Sequence, residues 1–162
     1  MKNMHFKEEG LSELNWGINV LEFKQTFPFA ESCFEAMPNI YQMPFIKIHK
    51  HIGPLTIHFN EFGLYMVCIS YIFKENQKHF SQKDVVMISD EILNSLLIHY
   101  GEPLVIAPWD ENIKKFNYIW IFNSTLIQYA WDGENAWAIH YRSIKLDNAA
   151  RLVLKEISEY LS

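Results

Sequence analysis

The run Tyr118-Ile119-Trp120-Ile121-Phe122 is apolar at every position, and a chain that contains it has few ways to fold. A strand wetted on one side alternates polar with apolar residues, whereas a strand without alternation is covered on both faces. This one is therefore expected at the centre of a sheet. Two alternating strands follow, Leu126 to Trp131 and Ala136 to Arg142, so that Lys115 to Arg142 reads as three consecutive strands. The link Asp132-Gly133-Glu134-Asn135-Ala136 carries a Gly and an Asn for unusual backbone angles. A loop of that length sets Trp131 opposite Trp137, Tyr129 opposite Ile139 and Ile127 opposite Tyr141. On the other face it sets Ala130 opposite Ala138 and Gln128 opposite His140. One side of the hairpin is bulky and aromatic, the other shallow.

Around this stretch the elements alternate in kind. Ile18 to Phe27 has helical spacing and Pro28 ends it, while Phe29 to Met43 is punctuated by Pro38 and Pro44. Phe45 to Ile52 and Leu55 to Asn60 alternate about a Gly53-Pro54 turn, with Leu55, Ile57 and Phe59 inward and Thr56, His58 and Asn60 outward. Asn60-Glu61-Phe62-Gly63 then turns into a nearly continuous apolar strand, Leu64 to Phe73. Ser81 to Asp84 has the form of a capping sequence, and Val85, Ile88, Ile92, Leu96 and Tyr100 make one helical stripe that Gly101 and Pro103 stop. Leu104 to Ala107 is a short strand. Asp147 caps a last helix with the stripe Ala150, Val153, Leu154, Ile157 and Leu161. The order predicts an α+β fold. A curved, mainly antiparallel sheet of six to seven strands in two meanders carries a long central helix and a C-terminal helix on one face. With 162 residues the chain is expected to form a single domain over 1–162, residues 1–15 being a loosely held N-terminal leader.

Charge narrows the function classes. Asp and Glu outnumber Lys and Arg by 19 to 14, a net charge of −5, and no basic cluster is visible. That argues against nucleic acid as the partner and is compatible with a basic protein. No apolar run approaches a membrane span and the first residues lack a signal-peptide core, so no membrane association and a cytoplasmic location are expected. Cys33 and Cys68 stand apart without a CxxC pair, as reduced structural thiols do.

Catalytic candidates are sparse. The predicted hairpin brings His58 across from His49 or His51 on the outward face, a constellation that zinc uses, though Lys47 on the same face would repel a dication. An enzyme built on His49, His51 and His58 is one alternative function, and a self-associating module is another. His99 sits at a helix C-terminus, where the dipole favours its charge. His140 faces Gln128, which suits a structural hydrogen bond. Cys33 lies in an acidic flank that would raise its pKa. No phosphate-cradling loop or hydrolase motif occurs, and no catalytic residue and no cofactor is expected.

Two acidic, aromatic segments remain: Trp109-Asp110-Glu111-Asn112 and Trp131-Asp132-Gly133-Glu134-Asn135. Each precedes a strand, so both are expected at one end of the sheet. Tryptophan beside carboxylates suits a Lys- or Arg-rich surface, the charge steering encounter and the ring anchoring it. Trp109, Asp110, Glu111, Trp131, Asp132, Glu134 and Trp137 are the expected partner-binding residues. A small, acidic, aromatic-rich α+β domain of this kind resembles the bacterial toxin-immunity proteins of contact-dependent growth inhibition and other polymorphic toxin systems. That resemblance implies binding of a cognate toxin domain, often a nuclease, in the producing cell's cytosol. The order of strands, helix, strands and helix is also similar to Whirly-type single-strand-binding folds, but the basic strand face of such proteins is missing.

Overall fold

A computed structural model describes residues 15–26, 33–48, 51–72, 81–110, 115–131 and 136–161. Three helices form among them: α1 (Val20–Thr26), α2 (Gln82–Tyr100) and α3 (Asn148–Leu161). The eight strands are β1 (Phe34–Met37), β2 (Ile40–Ile48), β3 (His51–Asn60), β4 (Gly63–Ile72), β5 (Val105–Asp110), β6 (Lys115–Phe122), β7 (Thr125–Trp131) and β8 (Ala136–Ser143). They make one open sheet in the order β1-β2-β3-β4-β8-β7-β6-β5, each neighbour antiparallel. The fold is thus α+β with two antiparallel meanders joined along β4 and β8. All but Asn15 of the expected leader lies outside the described residues.

Helix ends follow their sequence signals. The Ser81 hydroxyl accepts from Asp84 N while the Asp84 carboxylate accepts from Ser81 N at 2.8 Å, which closes the capping box of α2. Those bonds, the side-chain one foremost, hold the Asp84 carboxyl below its ordinary pKa. Asn19 and Glu22 make the same reciprocal pair at the start of α1. Val85, Ile88, Ile92 and Leu96 of α2 and Phe23 of α1 are buried with Leu55, Ile57, Ile69, Ile127, Tyr129, Ile139 and Tyr141 in one core. The Tyr129 hydroxyl anchors this layer by donating to Ser89 O at 3.1 Å.

Four expectations need correction. First, the helices do not share a face. Ile119 and Leu126, which point away from Trp120 and Ile127, are buried with Ala150 and Ile157, so α3 lies on the opposite face from α2. Second, β6 is covered on both faces at Ile119 and Trp120 only, Ile121 and Phe122 being exposed, and it is next to the edge and not central. Double burial there comes from one helix on each side, and lateral position in the sheet has no part in it. Third, the Gly53-Pro54 pair lies within β3. Pro54 sits opposite the irregular stretch between Met43 and Ile46 of β2, where the ladder is already broken and a missing N–H costs little. Fourth, the described residues form eight strands. The stretch around Pro38 folds into a β1–β2 hairpin turned by Asn39, whose φ of 63° is one that Asn tolerates.

At the other side of the core the chain before α1 is tied to β4. Gly17 N donates to Leu64 O at 2.9 Å and Leu64 N donates to Ile18 O at 2.8 Å. Trp16 Nε1 donates to Thr125 Oγ1 at 2.9 Å, which fastens the same segment to β7.

Candidate functional site

Both acidic, aromatic segments start from strand ends. Trp109 and Asp110 finish β5, and Trp131 finishes β7. Because β5, β6 and β7 are successive antiparallel neighbours, those two ends lie at one end of the sheet. Only β6 separates them, a distance of about 10 Å at the usual strand spacing. Glu111, Asp132 and Glu134 fall outside the described residues. Trp131 is half-buried, and its indole Nε1 is shielded from water with no hydrogen-bond partner among the described residues. Trp137 stands opposite it as expected, but at 2% exposure it belongs to the core and offers a partner no ring face.

The histidine constellation does not assemble. His51 opens β3 opposite Ile48, whereas His58 pairs with Ile40 and Met66 near the other end of that strand. Seven residue steps of extended chain separate them, roughly 23 Å. His49 lies outside the described residues. Among the described residues no group of three metal-ligating side chains converges.

His58 belongs instead to a polar row that the sequence did not disclose. On the face away from α2, Thr56 of β3 pairs with Cys68 of β4, Cys68 with His140 of β8, and His140 with Gln128 of β7. His58 and Arg142 lie one step along the same face. His58 Nε2 is 3.0 Å from Thr56 Oγ1, and its ring meets Tyr65 edge-on at 6.2 Å. Arg142 Nη1 donates to Asp147 Oδ2 at 2.8 Å, a nearly dry ion pair. Gln128 turns its amide to Asn117 Oδ1 at 3.0 Å and leaves His140 without the expected bond; His140 Nδ1 is buried and unpartnered among the described residues. The pairing of β4 with β8 joins residues about seventy positions apart in the chain. Continued alternation across that pair was the one signal that would have revealed the row.

The electrostatics of this row favour neutral groups. Burial, then the Arg142 charge, pushes His140 down to about 4, and the same causes in the same order lower His58. Burial pushes the Cys68 thiol up to about 11 and does the same to Cys33, where the acidic flank had suggested another cause. At neutral pH these thiols are protonated and weakly nucleophilic. His99 is exposed at the C-terminus of α2, its ring edge-on to Tyr100.

The neutral His140 makes stability depend on pH. Its folded-state pKa lies below the unfolded value of 6.5, so the unfolded chain binds more protons between the two. The associated stability is complete above pH 6.5 and is lost as pH falls toward 4, by up to about 3 kcal/mol. Urea unfolding at pH 7 and pH 4.5 should show the drop. His140→Gln should flatten it, leaving the part due to His58.

Comparison with protein-family models, with curated proteins and with solved structures gave no match.

Proposed function

We propose that the chain is a toxin-immunity protein that binds a basic toxin domain in the cytoplasm and occludes its active or substrate-binding surface. The observation that carries this is the shared position of the β5 and β7 ends, which sets Asp110 and Trp131 about 10 Å apart at one end of an acidic molecule. A single convex, cationic surface can meet both. No helix among the described residues is long and apolar enough to cross a membrane.

Co-expression with the product of the neighbouring gene tests the proposal. A one-to-one complex should co-purify, and its association should slow steeply as salt rises, because charge steers the encounter. Absence of a complex with that product, or association insensitive to salt, would contradict it.

Self-association draws on a different observation. The four residues of the edge strand β1 are all exposed, Phe34 and Met37 among them. Sizing at high concentration separates the two readings, since a monomer removes this one.

A further inference from the structure

α2 buries one stripe and leaves another that is unusual for a solvent-facing helix. Val86 and Met87 are exposed at 37% and 50%, and Ile98 further along the same outward line at 87%. Between them lie Asp90 and Asn94, and a shallow depression of about 480 Å³ is lined by Lys83, Val86, Met87, Asp90, Glu91 and Asn94. The spacing of 83, 87, 90, 94 and 98 follows one helical face. That face carries three apolar side chains, two acids and a single lysine. Val86 and Met87 lie side by side at the depression with Asp90 and Glu91, and Lys83 is the one basic residue lining it.

The helix is also well placed. Tyr129, two residues before the β7 end, donates to Ser89 in the first half of α2, while Trp120, near the β6–β7 turn, donates to Gly101 O at its far end. The depression around Met87 is therefore on the side of the molecule where β5 and β7 end.

We propose that the outward face of α2 is a docking surface for a cationic amphipathic segment of a partner protein. An apolar side chain of that segment sits between Val86 and Met87, and a Lys or Arg beside it meets Asp90. This inference rests on the reading of the chain as a binder of a basic domain and extends the contact from the strand ends to the helix. Met suits such a contact because its unbranched thioether repacks around different shapes. The acids choose the sign of the occupant: an anionic helix, a nucleic acid or an anionic lipid surface would be repelled.

Two synthetic amphipathic peptides provide the probe, one of Leu and Lys heptads and one with Glu in place of Lys, titrated into the isotope-labelled full chain and followed by backbone amide shifts. The Lys peptide is expected to shift the amides of Val86 to Asn94 and the Glu peptide to leave them unmoved. The double variant Met87→Lys, Asp90→Lys, both surface changes, should keep the thermal midpoint and weaken Lys-peptide binding about tenfold or more. Equal binding of both peptides, or no shifts on α2, would overturn the proposal. So would α2 shifts that grow with protein concentration alone, because a second copy would then be the occupant. Shifts confined to Asp110 and Trp131 would also overturn it while leaving the strand-end reading in place. Conversely, a toxin complex unaffected by the double variant but lost on neutralising the strand-end acids would remove α2 and keep the strand ends.

Discussion

Gly63→Ala is expected to cost about 4 kcal/mol or more, enough to leave little folded protein at room temperature. Gly63 opens β4 at a φ of +102°, in the region that L side chains rarely adopt. A Cβ added there would lie 2.2 Å from Gly17 O and 2.7 Å from Ile18 O. Both are backbone atoms, and both residues are held by the bonds between Gly17, Ile18 and Leu64. No rotamer change relieves the clash, so the segment before α1 must come off β4 and take the Trp16–Thr125 bond with it. Gly101 is the control. Its φ of +78° is also positive, but an added Cβ meets nothing within 4 Å, so Gly101→Ala should cost only the strain, about 1 kcal/mol. Urea unfolding midpoints measure both. Similar losses for the two would show that the Gly17–Gly63 approach is not what Gly63 is there for.

Asp147→Ala has the second-largest expected effect, about 3 kcal/mol. Asp147 is buried and works in two directions: Oδ1 accepts from Ala149 N as the cap of α3, and Oδ2 holds Arg142 on β8. Its removal uncaps the helix and strands a guanidinium whose side chain is only 18% exposed. Asp147→Asn keeps the cap geometry and should cost distinctly less than Ala. The double variant Arg142→Met, Asp147→Ser removes the stranded charge and keeps a cap, and should recover much of the loss. Failure of the double variant to exceed Asp147→Ala in thermal midpoint would mean that neither the lost cap nor the stranded charge carries the effect.

What the sequence disclosed was local, and what it hid was lateral. The β7–β8 register could be read because one five-residue link fixes every pair from Trp131–Trp137 to Ile127–Tyr141, and these are the pairs that form. The stripes of α2 and α3 and their caps were legible for the same reason, each being decided within a few residues. The β2–β3 turn was misplaced because Gly53-Pro54 has turn chemistry but is used within β3 at an irregular stretch of its partner. Its misplacement brought His51 and His58 together on paper, when β3 holds them near its opposite ends. The aromatic run of β6 looked central because burial on two faces does not say how many strands lie to either side. The polar row of His58, Cys68, His140 and Arg142 depends on three strands from both halves of the chain, and no local pattern records that pairing.

The partner-binding residues were legible as composition before they had a place. The topology gives Asp110 and Trp131 a common end, and it moves Trp137 from the surface to the core. The most direct test of the account is the dissociation constant of the complex with the adjacent gene's product, measured with and without Asp110→Ala, Glu111→Ala, Asp132→Ala and Glu134→Ala together. A loss of about a hundredfold with an unchanged thermal midpoint is the predicted result. An unchanged dissociation constant would contradict the claim that this end of the sheet holds the partner.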